Sequence, residues 1–126
     1  MLLPATSAQT EVIEVVRITP ALRNPSSDPL AGEDTALWVE GQVEQALALI
    51  AELPGGELYR CFAPGWGIRG HSDTDVLFEI AFCFRCHGAR LGGPGVPAEQ
   101  QAIHTFDADS APALALLALF RTTDPS

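Results

Sequence analysis

At 126 residues, 47% of them hydrophobic and 18% charged, the chain is sized for one domain with its own core, and this balance argues against disorder. Seven basic residues against sixteen acidic ones leave a formal charge of −9, a field that repels phosphate backbones and anionic lipid and so argues against nucleic acid and membrane surfaces as partners. No run reaches the ~20 apolar residues of a membrane span.

Residues 1–10 are small and polar and read as a loose N-terminus. They lack a basic opening region, and Pro4 interrupts the only apolar run, so no signal peptide is expected. Cytoplasmic residence follows, and with it three reduced cysteines rather than a disulfide framework. A single domain is expected over residues 11–122, with 123–126 as a tail.

Glu11–Thr19 is rich in β-branched residues and predicts a strand with partial cover on both faces. Pro20–Gly32, with three prolines, predicts a loop. Asp34 or Thr35 is placed to cap a helix running to about Leu53, because Val39, Val43, Leu47 and Ile50 form one stripe and Pro54-Gly55-Gly56 ends it. A meander of Glu57–Ala63, Gly67–Ser72 and Val76–Arg85 should follow, turning at Pro64-Gly65 and Asp73-Thr74-Asp75.

The last of these strands is the centre of the fold. Val76, Phe78, Ile80, Phe82 and Phe84 alternate with Leu77, Glu79, Ala81, Cys83 and Arg85, so one face is core and the other partly covered. Three-residue loops pair Ile68 with Ile80, bring Trp66 to Phe82 and set Arg69 against Glu79; a slip of one residue would bury charge. Residues 88–101 hold four glycines and two prolines and predict a loop. Ala102–Phe106 predicts a short final strand. Ser110, with Pro112 in the first turn, opens a helix through Arg121 that is apolar nearly all round and so is either well buried or meets a partner. The order β-α-β-β-β-(β)-α defines an α+β domain: an antiparallel meander with an N-terminal strand and two helices on one sheet face.

Two groups of residues could carry chemistry. Tyr59, Cys61, Arg69, His71 and Glu79 should project from the uncovered sheet face, joined by Cys83 and Arg85. A nucleophile, a base and arginines there could bind a small anionic ligand; a protein partner or a homodimer surface would use the same residues. The second group is Cys83-Phe84-Arg85-Cys86-His87. Its spacing matches a c-type haem attachment site, but it closes a strand with no export signal before it, and Met1 is the only methionine, so the match reads as chance. Zinc would need four ligands, and Cys83, Cys86 and His87 form one group with no second pair; His71 or His104 could complete it only if the following loop folds back. A redox pair would need a turn at Arg85, since regular strand geometry points Cys83 and Cys86 to opposite faces. Core packing is the plainer role for both.

Cys61-Phe62-x-Pro64, Ile68 and Glu79-Ile80-x-Phe82-Cys83-Phe84-x-Cys86 resemble a pattern in small bacterial proteins of uncharacterised activity. The resemblance covers the middle quarter of the chain and implies a shared fold core without supplying an activity. No nucleophile–base–acid order, phosphate loop or paired-carboxylate motif stands out. The sequence therefore favours a binding or regulatory module without cofactor, using the open sheet face and the glycine-rich loop of residues 88–101, over an enzyme; the alternative is a thiol-based zinc or redox protein using the Cys-x-x-Cys-His turn.

Overall fold

Runs of β-branched and aromatic residues form strands here wherever a neighbour can take up their backbone hydrogen bonds. In the computed structural model, which describes residues 3–18, 32–57 and 65–123, these are β1 (Val12–Ile18), β2 (Gly32–Val39), β3 (Trp66–His71), β4 (Val76–Cys83), β5 (Gly88–Gly92) and β6 (Ile103–Thr105). The two helices are α1 (Gly41–Ala51) and α2 (Ala111–Thr122), and a short 3-10 helix, Ala5–Gln9, precedes β1. The strands form one antiparallel sheet in the order β2-β1-β3-β4-β5-β6, so the N-terminal strand is an interior one. This is the expected α+β architecture.

The β3–β4 register is the expected one: Ile68 faces Ile80, Trp66 faces Phe82 and Arg69 faces Glu79. One sheet face carries Ile13, Val15, Trp38, Ile68, Phe78, Ile80 and Phe82, and both helices pack there through Val43, Ala46, Ile50, Ala113, Leu116 and Phe120. Phe120 is the keystone of this layer. Its ring lies 5.3 Å from Trp66, 5.7 Å from both Trp38 and Phe82, and 6.1 Å from Phe84, within the range of favourable aromatic pairing. Gly70 leaves room for the Phe78 ring, which a β-carbon at that position would strike.

Three boundaries differ from expectation. Asp34 and Thr35 lie inside β2 instead of capping a helix, and α1 begins only at Gly41. The change of direction occurs at Glu40, whose φ of 53° is incompatible with continuing either element. Residues 88–92, expected as loop, form β5, because β4 and β6 offer hydrogen bonds on both sides and the small side chain of Ala89 fits the core. β4 ends at Cys83, and Phe84–His87 form a turn. The strand expected over Glu57–Ala63 and the loop expected over Pro20–Gly32 lie, except for Glu57 and Gly32, outside the described residues.

α2 starts as expected, with the Ser110 side chain accepting the Ala113 N–H. It buries only the Ala113, Leu116 and Phe120 stripe and leaves Leu114 exposed.

Candidate functional site

The side of the sheet opposite the helices is built by the polar phase of the strands. Ile13 and Val15 of β1 enter the core, so Glu14 between them must point the other way. Pairing of β1 with β3 sets Glu14 opposite Arg69 and Val12 opposite His71; pairing of β3 with β4 sets Arg69 opposite Glu79. Arg69 therefore lies between two carboxylates. Its Nε donates to Glu79 Oε2 at 2.7 Å and its Nη1 to Glu14 Oε2 at 3.0 Å, while the second Glu14 oxygen accepts from His71 Nε2 at 3.0 Å. All four side chains are half-buried, which strengthens these contacts over those of fully exposed pairs.

Asp34 of β2 brings a second carboxyl beside Glu14 and so extends the row to a fourth strand. Burial alone would push the Glu14 carboxyl up. Hydrogen bonds from Asp34 and His71, with the charge of Arg69, outweigh burial and hold Glu14 below its ordinary value. Asp34 moves the other way: its hydrogen bond to Glu14, with smaller contributions from burial and from the Glu14 charge, raises its carboxyl. Of the two, Asp34 is therefore the carboxyl that takes up a proton first as the pH falls.

Of the residues expected on this face, Arg69, His71 and Glu79 are brought together, and Tyr59 and Cys61 lie outside the described residues. Glu14 and Asp34 are additions. Glu14 had a local signal, a lone carboxylate between Ile13 and Val15, but its partner is 55 residues away. The face is also less uniform than expected. Val16 and Ala81 on it are buried, with Ile18 against them, whereas Leu37 (66% exposed) and Val39 (45%) stand out at the β2 end, opposite Glu14 and Val12.

The cysteine turn corrects an expectation. Cys83 and Cys86 are joined as a disulfide, with Cα atoms 5.2 Å apart, instead of being separate thiols on opposite faces. Because β4 stops at Cys83, the turn carries Cys86 back to it, and the Cys86 N–H points at Cys83 Sγ, 3.2 Å away. His87 follows with φ 55°; its Nδ1 accepts the Ala108 N–H and its carbonyl the Phe106 N–H, both at 3.0 Å. The sulfurs that a zinc site would use are bonded to each other, and that histidine nitrogen is already an acceptor. His104 instead bonds the Gln100 carbonyl. Among the described residues no group of three or more His, Cys, Asp or Glu is placed to hold a metal ion, and no helix is long and apolar enough to cross a membrane.

No protein-family model, curated protein or solved structure matches the chain.

Proposed function

We propose that the protein is a binding module that takes an extended, basic segment of a protein partner along the outer edge of β2. The observation that carries this reading is the Leu37–Val39 stretch of β2, the edge strand among the described residues, with two exposed apolar side chains directly beside the Asp34–Glu14 carboxyl pair. Natural sheets blunt their edges with bulges and charges. Here the bulge at Val15/Val16 and the Asp34 charge guard only the first half of β2, and Ala36–Val39 carries neither. An added strand would supply backbone hydrogen bonds, alternate apolar side chains against Leu37 and Val39, and lysine or arginine toward Glu14 and Asp34. A net charge of −9 favours the approach of such a partner. A small anion is the weaker candidate, because it would compete with two carboxylates already on Arg69. The same reading keeps the module in the cytoplasm.

The test is a backbone-amide NMR titration with an eight-residue alternating Lys–Val peptide, and with a Glu–Val peptide as control. Shifts centred on residues 36–39 and Glu14, weakened by salt and by at least about tenfold in Leu37→Lys, are expected. An equal response to the Glu–Val peptide, no response to either, or shifts centred elsewhere would overturn the proposal. So would line broadening that depends on protein concentration without peptide, which would assign the edge to a second copy.

A further inference from the structure

The Cys-x-x-Cys turn takes no part in the binding reading, yet it connects more of the fold than a surface turn needs to. It joins β4 to β5, the strands either side of the Cys83–Gly88 pair. Through His87 it holds the Phe106 and Ala108 amides; Asp107 between them donates to the Pro54 carbonyl beyond α1, and its own carbonyl accepts from the Ser110 cap of α2. Phe84, inside the disulfide loop, packs on Phe82, Phe106 and Phe120. One covalent bond therefore braces the segment from which α2 starts.

As a plain staple that bond does little. Its cysteines are three residues apart, and the chain entropy removed by a cross-link grows with the length of the loop it closes. Its place in the fold matters more: it closes the turn directly before His87, which has φ 55° and accepts the Ala108 and Phe106 N–H groups.

We propose that Cys83–Cys86 is a redox-modification site, opened by a dithiol reductant and read out as loosening of the Phe106–Ser110 segment. In the exchange, a reductant thiolate attacks Cys86 Sγ, the Cys83–Cys86 bond breaks, and Cys83 leaves as a thiolate. The Cys86 N–H, already directed at Cys83 Sγ, stabilises that charge until a proton arrives. The reductant's second thiol then displaces Cys86, so two electrons and two protons reach the protein and the reductant departs as its own disulfide. Cys83 and Cys86 are 2% and 4% exposed, so attack requires the turn to open. Phe84–His87 has no regular structure and Arg85 at its tip is exposed, which makes this a place for local opening without global unfolding. In a reducing compartment such a bond is transient, the condition a sensor needs.

The experiment uses the full chain under native conditions, oxidised with oxidised glutathione and then treated with dithiothreitol. Alkylation with peptide mapping reads the thiols, and amide hydrogen exchange reads the fold. Cys83 and Cys86 should become alkylated together. Exchange at Phe106 and Ala108 should rise at least about tenfold while β1 and β3 amides stay within about twofold, and reoxidation should reverse both changes. The double variant Cys83→Ser/Cys86→Ser should show the loosened pattern without reductant. Alkylation limited by the rate of global unfolding would make the bond a buried staple and overturn the proposal. A dithiol that does not oxidise, or a reduction that leaves Phe106 and Ala108 unchanged, would overturn it too.

Discussion

The two faces of this sheet come from the same strands, one residue out of phase, and are held by different physics. On one, Phe120, Trp38, Trp66 and Phe82 exclude water behind two helices. On the other, Glu14, Arg69, His71 and Glu79 lie half-buried in a hydrogen-bonded row. Stability on the first scales with apolar area and is not subject to charge screening; on the second it depends on geometry, ionic strength and pH. The contrast indicates why a strand can carry a site without weakening its core: alternation lets Ile13 and Glu14 answer to separate constraints.

The largest expected effect tests the first face. Phe120→Ala removes a ring that four aromatic neighbours touch, and relaxation cannot close the gap left between sheet and α2. A loss of about 3–5 kcal/mol in urea denaturation is expected, the same at low and high salt. A clear salt dependence would break the division between the faces.

Next in size is Arg69→Met, which keeps the stem and removes the guanidinium. Glu14 and Glu79 then lose a shared donor while still partly shielded from water, at a cost of about 1–3 kcal/mol. Unlike the first, this loss should shrink in high salt, and NMR should show the Glu14 titration moving up, as burial then meets less opposition. An unchanged Glu14 titration would mean that Asp34 and His71, not Arg69, hold it down.

What was legible in the sequence follows the same division. The β3–β4 register could be read because two short-range constraints agreed: aromatic alternation placed Ile68 on Ile80, and opposite charges placed Arg69 on Glu79. β2 was hidden because Asp34 and Thr35 resemble helix caps and Val39 continues the α1 stripe; only the left-handed turn at Glu40, a local conformation without a sequence signature, separates strand from helix. β5 was hidden by its glycines, which are tolerated because β4 and β6 hold it from both sides. The row itself was half legible. Arg69 and Glu79 are ten residues apart on neighbouring strands, but Glu14 and Asp34 reach it only through pairings of β1 that no local pattern encodes. The disulfide escaped because it depends on β4 stopping at Cys83, two residues before the alternation gives out.

The smallest effect concerns the row's outer end and has a definite sign. Asp34 is raised in the folded protein, so the native state favours its proton, and its stabilising contribution is lost as the pH rises through that raised value. Glu14 is lowered, so its contribution is present above the ordinary glutamate range and is lost as the pH falls through its folded value. The two limbs leave a stability maximum between them, where Asp34 is protonated and Glu14 ionised. Asp34→Asn retains an N–H donor for Glu14 and removes the second negative charge. Asp34 is exposed and solvent screens it, so the gain at neutral pH should be under about 0.5 kcal/mol. In thermal melts from acid to neutral pH, the variant should lose the decline on the alkaline side of the maximum and keep the acid limb that belongs to Glu14. If both limbs persist unchanged, Asp34 does not act on Glu14, and Arg69 and His71 alone set the charge on Glu14.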